Sequence, residues 1–69
     1  MKLHVVKRND DIQFIHPSKK EAIKYLEEEV RPMSLLFGVY KISKTEYRCD
    51  DITWYVEEWD VILNGAKKL

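Results

Sequence analysis

The sequence predicts an α+β domain: a four-stranded antiparallel sheet, in the order ββαββ, with one helix packed on one face. Three observations predict it. Two β-prone segments flank an Asn-Asp pair near the N-terminus, a capped amphipathic segment follows, and the C-terminal half holds further segments rich in β-branched and aromatic residues. A chain of 69 residues suits one small core. We expect one domain over residues 1–65 and a flexible tail over residues 66–69.

The first hairpin is predicted from residues 2–8 and 11–16, joined by Asn9-Asp10, a pair that tolerates the positive φ of a tight turn. A two-residue loop pairs Arg8 with Asp11, and the register set by this pair is expected to continue without interruption along both strands. One face of this hairpin is apolar and is the expected core face: Leu3, Val5, Ile12 and Phe14. The other face is mixed: His4, Val6, Gln13 and Ile15.

The helix is predicted over about 18–30. Ser18-Lys19-Lys20-Glu21 is a capping box, in which Ser18 accepts from the Glu21 amide and Glu21 reaches back to the Ser18 amide. Pro32 disfavours helical geometry at the preceding residue and should end the helix, which leaves the conformation of residues 31–37 open. Apolar residues recur at helical spacing: Ala22, Ile23, Leu26 and Val30.

The second hairpin is predicted from a third strand over residues 36–47 and a closing strand that contains both tryptophans. A four-residue loop over 49–52 sets a register in which paired positions sum to 101. Ile42 then faces Trp59, and Lys44 faces Glu57, as cross-strand pairing favours. Residues 51–64 also fit a helical stripe, but their β-branched and aromatic content favours a strand.

This register predicts which residues remain exposed. Trp59 would lie beneath the helix, and alternation along the strand would send Trp54 to the uncovered face. The cluster on that face has an aromatic and apolar centre and a polar rim, which is typical of a protein-binding surface. Its predicted members are Trp54, Tyr47, Val56 and Thr45, with Arg48 and Glu58 at the rim. We expect another protein or a second copy of the chain to occupy it, unless the tail or the 31–36 loop covers it.

Composition limits the other classes of function. Twelve basic and twelve acidic residues cancel, which removes the long-range positive field of a strong nucleic-acid binder. No apolar run is long enough to span a membrane, and the single Cys49 predicts a reducing, cytoplasmic location. His4 and His16 should point to opposite faces of the hairpin, so no metal site or cofactor is expected. No catalytic constellation is present, and we expect no enzymatic activity.

Single-stranded nucleic-acid binding is the alternative function. Lys41, Lys44, Tyr47 and Arg48 interleave basic and aromatic side chains, and an exposed sheet can stack bases on aromatic rings. Lys41 and Lys44 can instead pair with Asp60 and Glu57 across the predicted hairpin, which makes this the weaker interpretation.

Two further segments are distinctive: Ser18-Lys19-Lys20-Glu21-Ala22 with Tyr25, and Tyr55-Val56-Glu57-Glu58-Trp59-Asp60-Val61. They resemble segments of small proteins of phages and prophages, which join a hairpin, a capped helix and a closing strand. The resemblance implies a phage-like origin and a bacterial host cytoplasm, and it implies no activity. Small phage proteins often bind and block a host protein, so it also suggests an inhibitor of a host defence or transcription protein.

Overall fold

The computed structural model describes all residues of the chain, 1–69, as one helix and an antiparallel sheet. The fold class is therefore α+β, as predicted, but the sheet has six strands rather than four. The elements in chain order are β1 (Lys2–Arg8), β2 (Asp11–His16), α1 (Lys19–Leu36), β3 (Tyr40–Ser43), β4 (Glu46–Cys49), β5 (Ile52–Ile62) and β6 (Gly65–Lys68).

The long strand β5 is the centre of the sheet. The strand order is β2-β1-β5-β4-β3, and β6 pairs with β5 beyond the end of β4. The predicted third strand is in fact two short strands, because the chain turns at residues 44–45 to form the β3–β4 hairpin. The expected flexible tail over 66–69 is also wrong, since residues 65–68 form β6 and pair with residues 59–62.

The predicted register of the second hairpin is confirmed close to its turn. Cys49 pairs with Ile52, and Tyr47 pairs with Trp54, so the paired positions sum to 101 as expected. The register extends one step further, because the Val56 amide donates to the Thr45 carbonyl at 3.0 Å. The strand interpretation of 52–64 is confirmed for Ile52–Ile62. The predicted partners further along are wrong, because β6 occupies that part of the β5 edge.

A β-bulge in the first hairpin reverses the predicted faces. Arg8 pairs with Asp11 as expected, but the register shifts between Val6 and Lys7, so Val6 pairs with Phe14 rather than with Gln13. A shift of one residue moves every later side chain to the opposite face. Phe14 therefore lies on the helix side with Val6, and Ile15 lies on the uncovered side with Val5. His4 and His16 are direct partners on one face, not on opposite faces as predicted.

Helix α1 begins at the predicted cap. Ser18 Oγ accepts from the Glu21 amide at 3.4 Å, while the Ser18 amide donates to His16 Nδ1 at 2.9 Å, so a histidine takes the role expected of the Glu21 carboxylate. The helix does not end before Pro32 but continues to Leu36. Proline has no amide hydrogen, so Pro32 cannot donate the helical hydrogen bond to the Glu28 carbonyl. Both residues are exposed, so water can satisfy that oxygen.

The core lies between α1 and one face of the sheet. The helix packs on β1, β2 and β5. The predicted apolar stripe of the helix is confirmed, with Ala22, Leu26 and Val30 buried and Ile23 half-buried. The sheet contributes the remaining buried members of this cluster: Val6, Cys49 and Trp54. One helix covers one face, so the opposite face of the sheet is left without a covering layer.

Candidate functional site

The predicted binding cluster does not form an exposed surface. Trp54 is only 1% exposed and belongs to the core beneath α1. Tyr47 and Val56 are half-buried and pack against the same core. The expectation of an exposed Trp54 is therefore wrong, because the bulge in β2 and the packing of α1 assign Trp54's face to the helix. Of the other members, Thr45 and Glu58 are half-buried, and Arg48 is exposed.

The uncovered face presents a different groove, with Trp59 near its centre. Trp59 pairs with Leu3 on one side and with Lys68 on the other, so three strands meet at its position. The groove has a volume of about 200 Å³ and is almost entirely apolar. Its lining residues are Leu3, Val5, Lys7, Ile12, Ile15, Trp59, Val61 and Ala66.

A buried carboxylate forms the polar border of this groove. Glu57 is 8% exposed, and Lys7 Nζ lies 2.8 Å from its Oε1 while Lys68 Nζ contacts its Oε2. The Trp59 indole N–H donates to Glu57 Oε1 at 3.3 Å. We call Lys7, Glu57, Trp59 and Lys68 the Glu57 clamp. It joins β1, β5 and β6 and fixes the orientation of the Trp59 ring.

The electrostatics of the clamp show how firmly the carboxylate is held. Burial by itself raises the pKa of Glu57, but hydrogen bonds from Lys68, Lys7 and Trp59 outweigh it and lower the pKa to about 2. The hydrogen bond to Glu57 in turn raises the pKa of Lys7. The clamp therefore stays charged at neutral pH with its charges paired within the protein, and it offers no proton for acid–base chemistry there.

The part of the uncovered face beside the first turn is polar. Tyr55 donates a hydrogen bond to Asp10 Oδ1 at 3.3 Å. Burial raises the pKa of Tyr55, and the nearby Asp10 carboxylate raises it further. Asn9 ties the first turn to β5, since its amide donates to the Thr53 carbonyl at 2.7 Å and its side chain accepts from the Thr53 amide at 3.1 Å. This network holds the polar end of the face in a fixed shape.

The residues considered for nucleic-acid binding lie on the β3–β4 hairpin. Lys41 Nζ lies 5.9 Å from the centre of the Tyr47 ring, which is itself half-buried against the core. Arg48 lies 3.8 Å from the Glu46 carboxylate. The pairs expected from Lys41 and Lys44 are absent, because Glu57 is held by the clamp and Asp60 contacts the N-terminal amine at 3.5 Å. The Lys41 ammonium over the ring and the packing on the core both reduce the ring surface of Tyr47 that a base could stack on.

The remaining reactive side chains are placed within the core or beside it. Cys49 is 3% exposed and ends β4 within the apolar cluster. His4 is 7% exposed, and the His16 ring stacks on Phe14 with 5.7 Å between centroids. No group of three or more His, Cys, Asp and Glu side chains is arranged to hold a metal ion. Helix α1 lacks the continuous apolar length that a membrane-spanning helix needs.

Sequence reasoning missed the groove because it placed Trp59 beneath the helix. The alternation of Tyr55, Glu57, Trp59 and Val61 along one face was visible in the sequence, but the choice of face depended on the bulge. The dipeptide Asn64-Gly65 is a strong hairpin signal and would have identified β6, which supplies Lys68 to the clamp.

Comparison with known proteins adds no relative. No family model, no curated protein and no solved structure matches this chain.

Proposed function

We propose that the protein is a small, non-enzymatic interaction module that binds another protein through the uncovered face of its sheet. The observation that supports this most is the apolar groove around Trp59, which has no covering layer although it adjoins a fully formed core. Exposed apolar surfaces with polar borders mark interaction sites more often than they occur by accident.

The composition of the groove supports a protein as the ligand. A tryptophan whose orientation is fixed by a hydrogen bond is a good anchor, since little conformational entropy is lost when it binds. Ile12 and Ile15 are 59% and 49% exposed and extend the apolar surface at the edge strand β2. The Glu57 clamp provides a charged border in which the carboxylate is already paired with two lysines, so its desolvation by a partner costs less than that of a free carboxylate.

The finer form of this proposal is a phage-encoded inhibitor or modulator of a host protein in the bacterial cytoplasm. Its support is the phage-type resemblance of the helix cap and the closing strand. Single-stranded nucleic-acid binding by Lys41, Lys44, Tyr47 and Arg48 is the alternative, and the packing of Tyr47 makes it the weaker one.

A pair of matched variants tests the proposal. In Ile12→Glu/Ile15→Glu, two exposed groove residues become charged with little effect on the core. Leu63→Glu is the control, because Leu63 is 100% exposed in the turn between β5 and β6 and does not line the groove. Each variant and the parent would capture proteins from a nuclease-treated bacterial lysate, with identification by mass spectrometry. We expect a protein that the parent and Leu63→Glu retain and the double variant loses.

The identified partner would then be purified and titrated at about 50 and 200 mM salt. An apolar interface should change little in affinity, whereas phosphate contacts would weaken binding steeply over this range. Equal capture by all three proteins would contradict the proposed face. Capture from a parallel, untreated lysate that is absent from the nuclease-treated one would favour the nucleic-acid alternative.

A further inference from the structure

The polar border of the Trp59 groove carries one more positive charge than negative charge. In the Glu57 clamp two lysines share a single carboxylate, with Lys7 Nζ 2.8 Å from Oε1 and Lys68 Nζ in contact with Oε2. Neither lysine is within ion-pair distance of a second carboxylate. The charge of Glu57 therefore cancels one lysine and leaves the other without a counter-ion in the protein.

The three charged side chains of the clamp differ in how far they reach into solvent. The Glu57 side chain is 8% exposed and the Lys7 side chain 17%, whereas the Lys68 side chain is 56% exposed. The carboxylate is thus largely withdrawn from the surface, and the exposed part of the cluster is mainly Lys68. A molecule that enters the groove meets a positive border.

Neighbouring acidic residues do not neutralise this border. Glu58 and Asp60 alternate with Trp59 along β5, so they point to the opposite face of the sheet. Each of these two carboxylates lies within 3.6 Å of another amine. Asp10 lies beside the first turn, at the polar end of the uncovered face, where it accepts a hydrogen bond from Tyr55. The surplus positive charge is therefore local to the apolar groove.

We propose that the partner segment that enters the Trp59 groove is acidic, and that an aspartate or glutamate side chain of this segment pairs with Lys68 while an adjacent apolar side chain fills the groove. This inference rests on the proposed function and specifies the chemistry of the partner. A cavity of about 150 Å³ can hold benzene, so a groove of about 200 Å³ has room for one aromatic side chain. A basic segment is disfavoured, because it brings a further positive charge against two lysines.

Three capped dipeptides test the charge preference: N-acetyl-Phe-Glu-amide and its counterparts with Gln or Lys in the second position. They share the aromatic ring and differ only in the second side chain. Each would be titrated to about 10 mM and followed by nuclear magnetic resonance of the Trp59 indole N–H. The Trp54 indole N–H is the internal reference, since Trp54 is 1% exposed beneath α1. We expect the Glu peptide to bind about threefold to fivefold tighter than the Gln peptide, as for an effective surface ion pair, and the Lys peptide to bind most weakly.

Two lysine variants show whether Lys68 supplies that preference. Lys68→Gln leaves Glu57 paired with Lys7 and removes the surplus charge, so the Glu and Gln peptides should bind it equally. Lys67→Gln is the matched control. It removes the same charge from the adjacent residue, which pairs with Asp60 and points to the opposite face, so the preference should remain. Circular dichroism and the position of the Trp54 signal show that each variant is folded.

The outcomes separate this inference from the proposed function. Equal binding of the Glu and Gln peptides to the parent, a preference that survives Lys68→Gln, or one that Lys67→Gln abolishes would overturn the pairing with Lys68 and leave the groove as an apolar binding surface. A Trp59 signal that none of the peptides shifts would also overturn it, and the proposed function would still be decided by capture with Ile12→Glu/Ile15→Glu. A preference that depends on Lys68, together with no captured protein, would support the inferred chemistry and contradict the proposed protein partner.

Discussion

The two faces of the sheet use their tryptophans in opposite ways. Trp54 lies under α1, where it is 1% exposed and its indole N–H has no hydrogen-bond partner. Trp59 lies half-buried on the uncovered face, and its indole N–H donates to Glu57. The covered tryptophan therefore contributes burial at the expense of an unpaired donor, while the uncovered one has a polar anchor and free ring surface. The first arrangement suits stability and the second suits recognition.

The largest expected difference is in stability. Trp54→Ala should cost about 3–5 kcal/mol, enough to unfold a domain of this size, because it leaves a large cavity beneath the helix. Trp59→Ala should cost clearly less, since its ring is partly in water already. Denaturant unfolding of both variants, followed by circular dichroism, measures the difference.

Trp54→Phe is the control for this comparison. It keeps an aromatic ring and removes the unpaired N–H, so we expect it to cost less than about 1.5 kcal/mol. Equal losses for Trp54→Ala and Trp59→Ala would show that the two faces share the stabilising role.

A smaller effect is expected from the Glu57 clamp. Glu57→Gln keeps the shape of the side chain and a possible acceptor for Trp59 but replaces charge-assisted hydrogen bonds with neutral ones, which should cost about 1–2 kcal/mol at neutral pH. Glu58→Gln is a matched control on the opposite side of the same strand, where the carboxylate lies 3.6 Å from Lys2 at the surface. It should change stability little.

The clamp also gives a definite pH dependence. The pKa of Glu57 in the folded protein is about 2, below its ordinary value of 4.5, so the folded state favours the charged form. Its contribution is present in full above about pH 5 and is lost as the pH falls toward 2. Denaturant unfolding from pH 6 to pH 2 should show a steeper decline for the parent than for Glu57→Gln. Parallel curves would mean that the clamp does not hold the carboxylate.

The smallest change in stability is expected from removing the bulge in β2, which determines which side chains of the first hairpin face the helix. Deleting Gln13 should keep the turn at Asn9-Asp10 and every observed pair of β1 with β2, because Gln13 is the extra residue. The change in stability should be no more than about 1 kcal/mol, on the order of one hydrogen bond. Nuclear Overhauser contacts between Val6 and Phe14 would check the pairing. A deletion variant that moves Phe14 to the face of Val5 would contradict the role given to the bulge.

The sequence predicted the parts of this fold that depend on local chemistry. Asn9 and Asp50, both with positive φ, occupy the two turns that were placed correctly, and Ser18 caps the helix at the predicted position. The pairing of Tyr47 with Trp54 followed from the turn beside them. These features need only neighbouring residues, so a single sequence carries enough information to place them.

The candidate site depended on features that local patterns do not determine. One extra residue, Gln13, exchanged the two faces of the first hairpin and with them the assignment of Trp54 and Trp59. The turn at Lys44-Thr45 contains no Gly, Asn or Asp, and a contact from the Thr45 amide to Ser43 Oγ at 3.1 Å supports it instead. The Glu57 clamp joins three strands that are distant in sequence, so only the assembled sheet brings Lys7 and Lys68 together.

The central position of β5 has a consequence for how the protein is made. Residues 2–8 pair with residues 54–60, so β1 is synthesised long before its inner neighbour exists. Until β5 has emerged from the ribosome, one edge of the β1–β2 hairpin is unpaired, and the apolar stripe of α1 lacks much of the surface on which it packs. Such long-range pairing slows folding and leaves a nascent chain open to aggregation. The nascent chain therefore acquires its core and its Trp59 groove together, when β5 enters the sheet.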